Sequence, residues 1–67
     1  MEASVEGRTM TSAELSERWS IPVSTLAHWR SLGQGPAYVK LRGAVRYRLR
    51  DVEAFEDAHL VPAGASG

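Results

Sequence analysis

A chain of 67 residues is long enough for one small domain and too short to enclose a large active site. The absence of cysteine excludes disulfides, cysteine-based zinc sites and thiol nucleophiles. Eight basic and eight acidic residues give a formal net charge of zero, but the segment from Arg18 to Arg50 holds basic residues and no acidic one. This segregation is typical of a surface that binds a polyanion, although a solvated basic face without a partner is the alternative.

The ends of the chain differ from its middle. Residues 1–8 show no hydrophobic periodicity, and residues 61–67 are small and rich in helix breakers. We therefore expect a disordered segment over 1–8, one folded domain over 9–60 and a flexible tail over 61–67. No apolar run is long enough to cross a bilayer and no signal-peptide pattern is present, so we expect a soluble, cytoplasmic protein that does not bind membranes.

The first predicted helix begins at a capping box. Thr11 and Glu14 are spaced so that each side chain can accept a hydrogen bond from the other residue's backbone amide. Leu15 and Trp19 lie four residues apart and share one helix face. The pattern predicts a helix over residues 12–19.

A second helix follows after a short break. Pro22 disfavours helical geometry in the residue before it but is tolerated where a helix starts. From residue 23 onward, Leu26, Trp29 and Leu32 recur every three residues, which predicts one apolar face. Gly33 stands where a left-handed C-terminal cap is expected.

Two alternating runs, residues 38–41 and 45–48, predict a β-hairpin. A three-residue loop over 42–44 would set Lys40 opposite Arg46 on the outer face, whereas a two-residue loop would set Lys40 opposite Val45. We prefer the three-residue loop, because it places four apolar side chains together on the inner face. Its inner pairs are Leu41 with Val45 and Val39 with Tyr47.

The last predicted helix runs from about Leu49 to His59, with Val52 and Phe55 on its inner face. Its carboxylates are expected to point mainly outward, away from any phosphate backbone: Glu53, Glu56 and Asp57. The four large aromatic residues are interpreted as core rather than as platforms for base stacking: Trp19, Trp29, Tyr47 and Phe55. The predicted fold is mainly α with a small β-hairpin, in the order helix, turn, helix, wing, helix, which is a winged helix-turn-helix.

The exposed face of the second helix and the hairpin are the candidate site, and double-stranded DNA is the expected partner. On the helix the candidate residues are Val23, Ser24, Thr25, Ala27, His28, Arg30 and Ser31. On the wing they are Lys40, Arg42, Gly43, Arg46 and Arg48. If five or six cations contact phosphate, the logarithm of affinity should fall with that of salt with a slope of roughly 4 to 5. A solvent-exposed histidine without a role is the alternative interpretation of His28.

Catalysis is not expected of this sequence. His28 and His59 lie far apart, and the acidic residues are confined to the flanks, so neither a metal-ligand spacing nor a nucleophile with a nearby base is present. We expect a protein that is not an enzyme and needs no metal or cofactor. A protein-interaction adaptor, whose basic hairpin binds an acidic partner, is the second class of function.

The motifs of residues 9–60 resemble the MerR-type winged helix domain of excisionases and related small phage and plasmid regulators. The resemblance rests on Thr-Leu-x-x-Trp-Arg from Thr25, Gly-Pro from Gly35, Lys-Leu from Lys40 and Arg-Tyr-Arg from Arg46. Two positions depart from the family pattern. Pro22 stands where a serine or threonine cap is usual, and Ala44 stands where a further basic wing-tip residue is common.

The resemblance implies an architectural protein of site-specific recombination, acting in the cytoplasm of a bacterial host. Such an excisionase binds and bends attachment-site DNA and directs an integrase toward excision. It would be a monomer in solution that assembles cooperatively on DNA, with the integrase as its protein partner. A small single-domain transcriptional regulator with the same fold is the alternative, and the long dimerisation helix of full-length MerR-type regulators is not expected here.

Overall fold

A computed structural model describes residues 8–64 as three helices and a three-stranded antiparallel sheet. The elements in chain order are β1 (Thr9–Met10), α1 (Ser12–Trp19), α2 (Val23–Ser31), β2 (Val39–Leu41), β3 (Ala44–Arg48) and α3 (Leu49–Ala58). The predicted helices and hairpin are confirmed, and β1 is an additional strand. None of the helices within residues 8–64 has the length and apolar character to cross a membrane.

The predicted terminal segments lie largely outside the described residues, which exclude 1–7 and 65–67. Arg8 belongs to the folded part, because its carbonyl accepts a hydrogen bond from the Leu49 amide at 2.9 Å. This hydrogen bond joins the residue before β1 to the start of α3.

Helix α1 begins at the predicted capping box. The Thr11 hydroxyl accepts from the Glu14 amide at 3.1 Å, and the Glu14 carboxylate accepts from the Thr11 amide at 2.8 Å. The helix ends at Ser20, whose backbone is left-handed with φ of 56°, and the Ser16 hydroxyl donates to the Ile21 carbonyl at 2.5 Å. These contacts fix a tight turn into α2.

Helix α2 has a weak start and a strong end. Its N-cap is Pro22, which offers no side-chain hydrogen bond to the first helical amides. At the other end, Gly33 has the predicted left-handed backbone, with φ of 73°. The Gln34 amide donates to the Trp29 carbonyl at 2.7 Å and the Gly33 amide to the Arg30 carbonyl at 3.2 Å, which together form a Schellman motif.

Strand β3 is the centre of the sheet, with β1 on one side and β2 on the other. Residues Thr9 and Met10 pair with Arg48 and Tyr47 of β3. A two-residue strand has too few positions to show alternation, so the sequence held no signal for β1. Its addition gives Tyr47 an apolar cross-strand neighbour, Met10, from outside the hairpin.

The predicted hairpin register is wrong. Leu41 pairs with Ala44, Lys40 with Val45 and Val39 with Arg46. The loop is the two-residue turn Arg42-Gly43, and both residues have positive φ, 51° and 90°, as a type I′ turn requires. This turn matches the twist of the flanking strands. In the predicted three-residue loop the left-handed position is the last one, which Ala44 and not Gly43 would occupy.

The core is small and draws on every helix and the central strand. Four side chains are fully buried: Leu15, Leu26, Tyr47 and Val52. Met10, Ile21 and Val45 pack against them as partly buried side chains. Leu32, which was predicted on the apolar face of α2, is 55% exposed, because α2 has already ended and Leu32 lies on its cap.

The predicted aromatic core residues divide into two groups. Tyr47 is buried in the centre, while Trp19, Trp29 and Phe55 are partly buried and form an outer cluster between the helices. The Phe55 ring centroid lies 5.5 Å from that of Trp19 and 6.2 Å from that of Trp29. This cluster attaches α3 to α1 and α2.

Glu56 joins α3 to α1 instead of pointing outward as predicted. Its carboxylate accepts from the Arg18 guanidinium at 2.7 and 3.0 Å and from the Trp19 indole at 2.6 Å. These hydrogen bonds, first from Arg18 and then from Trp19, lower the pKa of Glu56 to about 2, and the Glu56 carboxylate raises the pKa of Arg18.

This pKa predicts a loss of stability in acid. A carboxyl whose folded pKa is lowered stabilises the fold above its unfolded pKa, near 4.5, and that contribution disappears as pH falls toward 2. The melting temperature of Glu56→Gln should therefore fall less than that of the natural chain between these pH values. The effect is modest, because the Glu56 side chain is 33% exposed and water screens the pair.

Glu17→Gln is the matched control for this comparison. It makes the same charge change at an exposed α1 side chain for which residues 8–64 provide no hydrogen-bond partner. Parallel pH profiles for Glu56→Gln and the natural chain would contradict the assignment.

Candidate nucleic-acid interface

The outer face of α2 carries small and polar side chains and one histidine. Ser24, Ala27, His28 and Ser31 are all exposed, and the Ser31 hydroxyl donates to the His28 carbonyl at 2.8 Å. At the start of the helix, Val23 is 44% exposed and Thr25 is half-buried on its flank. Six of the seven predicted α2 residues therefore lie at least partly on the surface and around one face.

Arg30, the seventh, is directed away from that face. One guanidinium nitrogen, Nη1, donates to the Tyr47 hydroxyl at 2.7 Å and to the Ser12 hydroxyl at 3.2 Å. The guanidinium carbon lies 5.8 Å from the centre of the Tyr38 ring. Arg30 lies four residues, about one helical turn, after buried Leu26. Its side chain therefore points toward the interior of the domain and not toward the outer face of α2.

The hairpin carries exposed cations at its end. Lys40 and Arg42 are exposed, and Gly43 lies beside Arg42 in the turn. Arg46 is half-buried, and its guanidinium donates to the Val45 carbonyl at 2.8 Å. The sequence of the hairpin, residues 39–48, contains no acidic residue, so no carboxylate interrupts these cations along the strands.

The observed register separates Lys40 from Arg46. Directly opposed residues of antiparallel strands share a face, so Lys40 lies on the face of Val45, and Arg46 lies on the face of Val39. The prediction that both cations share the outer face is therefore wrong. The inner position predicted for Leu41 is also wrong, because its side chain is 60% exposed. The hairpin therefore has Lys40 on one face, Arg46 on the other and Arg42 in the turn between the strands.

Carboxylates bind two arginines of the acid-free segment, Arg48 and Arg18. The Arg48 guanidinium donates to the Asp51 carboxylate at 2.6 Å, across the junction of β3 and α3. Arg18, at the start of the acid-free segment, is bound to Glu56. Arg50, at the end of the acid-free segment, is exposed on the first turn of α3. Arg48 is thus partly neutralised, and Arg50 is the more available of the two neighbours.

The turn residue Arg42 has an unfavourable backbone. Its φ of 51° belongs to the left-handed region, which glycine and asparagine occupy readily and arginine does not. A glycine at this position would relieve about 1 kcal/mol of backbone strain. The arginine at the tip therefore has a backbone conformation that its own residue type disfavours.

The described surface includes open grooves but no cluster of metal ligands. One groove of about 530 Å³ is lined by residues that include Arg8, Glu14 and Arg18, and a second of about 430 Å³ is lined by residues that include Trp29 and Phe55. Within residues 8–64, no three histidine or acidic side chains come close enough together to hold a metal ion.

A scan against protein-family models, a search of curated proteins and a search of solved structures found no match to this chain. Any function assigned to the interface must therefore come from the positions and chemistry of these residues and from the resemblance in their motifs.

Proposed function

We propose that this chain is a winged helix-turn-helix protein that binds double-stranded DNA through α2 and the β2–β3 hairpin. The observation that carries the proposal is the distribution of charge. Lys40, Arg42 and Arg46 occupy the hairpin without any acidic neighbour in its sequence, whereas Arg18 and Arg48 are paired with carboxylates. Three of the cations that no carboxylate binds among residues 8–64 therefore lie on this one element, which suits a polyanionic ligand.

In this proposal α2 enters the major groove. A helix fits that groove, and small side chains allow its backbone to approach base edges closely. The exposed face of α2 meets this requirement with serine and alanine side chains and presents His28 as a donor or acceptor. No carboxylate lies on α2 to repel the phosphates.

The hairpin serves as a wing along the minor groove. Phosphates line both sides of that groove, so a ribbon that enters it meets negative charge on each of its faces. Lys40 on one face, Arg46 on the other and Arg42 in the turn match this arrangement. The predicted register would have put Lys40 and Arg46 on one face of the hairpin. Their observed positions on opposite faces are also compatible with DNA binding, but in a different geometry.

The specific role that the motif resemblance favours is that of an excisionase. Such a protein bends attachment-site DNA and recruits or redirects an integrase, and a wing in the minor groove is a means of imposing a bend. Footprinting across an attachment region, combined with an integrase excision reaction with and without the protein, tests this role. Binding and a footprint at a promoter without stimulation of excision would identify a transcriptional regulator instead.

The salt dependence of binding tests the DNA interface itself. With Arg18 and Arg48 paired and Arg30 turned inward, four cations of the acid-free segment remain for phosphate: Lys40, Arg42, Arg46 and Arg50. Fluorescence anisotropy on a labelled random duplex should give a slope of log affinity against log salt of roughly 3 to 4, below the value expected from the sequence alone. A slope near zero would remove the basis for a DNA interface and favour an adaptor for an acidic protein.

Replacing Arg42 with glycine should affect stability and binding in opposite directions. The free energy of unfolding should rise by about 1 kcal/mol, because glycine adopts positive φ without strain. Affinity for duplex DNA should fall several-fold at about 0.1 M salt, because one phosphate contact is lost. Urea denaturation and anisotropy titration of the same preparation measure both effects, and an unchanged affinity would show that the Arg42 side chain is not in the interface.

A further inference from the structure

Helix α2 has few attachments to the rest of the domain. Leu26 is its one fully buried side chain among residues 8–64, and its N-cap contributes no side-chain hydrogen bond. Trp29 provides a second attachment, to Phe55 of α3. Apolar contacts are not directional, so these two attachments alone fix the orientation of a nine-residue helix less strictly than a side-chain hydrogen bond does.

Arg30 provides the missing directional attachment. Its Nη1 atom binds the hydroxyls of Tyr47 on β3 and of Ser12 at the start of α1, at 2.7 and 3.2 Å. Within residues 8–64 these are the side-chain hydrogen bonds that join α2 to the sheet and to α1. Tyr47 is 1% exposed, so its hydroxyl is carried by one of the most firmly held side chains in the domain.

The same guanidinium also contacts the entry to the hairpin. Tyr38, which immediately precedes β2, has its ring 5.8 Å from the Arg30 guanidinium carbon and 6.0 Å from the Tyr47 ring. Arg30 therefore contacts one tyrosine within β3 and another immediately before β2. A planar guanidinium can donate in its own plane and stack on a ring at the same time, which the ammonium of lysine cannot do.

We propose that Arg30 is a positioning residue that fixes the orientation of α2 relative to the hairpin. Helix and wing then present a single rigid surface, and the spacing between groove contacts is set inside the protein. The consequence for DNA rests on the proposed function, but the orientation itself is a property of the free protein. This role differs from the direct DNA contact that the sequence pattern predicts for Arg30.

The orientation is tested without DNA by residual dipolar couplings of backbone amides in Arg30→Gln and Tyr47→Phe. Tyr47→Phe keeps the buried ring and removes the hydroxyl alone, so it provides a folded variant even if Arg30→Gln does not fold. We expect the couplings within α2, and those within the hairpin, to fit the structure of each element as they do in the natural chain. A joint fit of both elements should require a changed or averaged orientation of α2 relative to the hairpin. An unchanged relative orientation in both variants would overturn the proposal.

Arg18→Gln is the matched control, because it removes an arginine that joins α1 to α3 and does not contact Tyr38, Tyr47 or Ser12 among the described contacts. It should lower the melting temperature and leave the orientation of α2 relative to the hairpin intact. A reorientation of the same size in Arg18→Gln would mean that any loss of stability loosens α2, which would also overturn the proposal.

Binding separates a positioning residue from a phosphate contact. Arg30→Gln should reduce affinity for a duplex selected by the natural protein roughly tenfold, about the effect of one lost base contact, with little change for random duplex. The salt slope should stay the same, whereas loss of a phosphate contact would lower it by about 0.9 and overturn the proposal. If the natural chain binds no duplex at all, the proposed function fails, and the dipolar couplings still decide the role of Arg30.

Discussion

Replacing Lys40, Arg42 and Arg46 together with glutamine is expected to lower affinity for duplex DNA by roughly a hundredfold or more at about 0.1 M salt. Each cation that releases a counterion from phosphate contributes close to one unit of salt slope, so the slope should fall by about 2 to 3. The loss should be similar for selected and random duplexes, because phosphate contacts hold no sequence information.

Two controls distinguish a lost DNA contact in the triple variant from unfolding and from a general effect of net charge. Lys40 and Arg42 are exposed, Arg46 is half-buried and none of the three belongs to the buried core, so the thermal melt should remain cooperative and near that of the natural chain. Arg18→Gln removes a cation that Glu56 already binds, and it should change affinity much less per charge removed. Equal losses per charge at Arg18 and in the hairpin would indicate a general effect of net charge and not a wing.

The replacement Leu26→Ala should unfold most of the domain. Leu26 is 1% exposed at the contact of α2 with the core, and truncation of such a leucine costs about 2 to 5 kcal/mol. A domain of this length has a total stability of roughly 3 to 10 kcal/mol, so the variant should retain little of it. Tryptophan fluorescence and circular dichroism during urea denaturation measure the loss.

Leu32→Ala is the control for Leu26, since the two leucines share the spacing of one predicted apolar face. Leu32 is 55% exposed on the cap of α2, so its truncation should change stability by no more than about 0.5 kcal/mol. Similar destabilisation by both substitutions would mean that the C-terminal end of α2 is buried, in contradiction to the structure.

The helices could be predicted from the sequence because their signals are local. Thr11 and Glu14 form the predicted capping box, and Gly33 adopts the predicted left-handed cap, so α1 and the end of α2 follow from residues within one turn of each boundary. The hairpin register could not be predicted in this way. The apolar partner of Tyr47 is Met10 of β1, so pairing of apolar residues within the hairpin was the wrong criterion.

The candidate site was predictable in composition but not in orientation. The exposed polar face of α2 follows from helical periodicity, and the basic hairpin follows from the acid-free segment. Which arginines are available depends on tertiary contacts: Arg18 meets Glu56 across 38 residues, and Arg30 meets Tyr47 across 17. Only the Arg48–Asp51 pair has a spacing that the sequence itself could have revealed.

The most direct test of a shared DNA surface is an NMR titration of the isotope-labelled chain with a short duplex. The amide signals of the exposed face of α2, residues 24–31, and of the hairpin around Arg42 should shift together with one dissociation constant. Those of Glu53 and Asp57 on α3 should remain in place. Shifts concentrated on α3, or separate dissociation constants for α2 and the hairpin, would contradict a DNA interface formed jointly by these two elements.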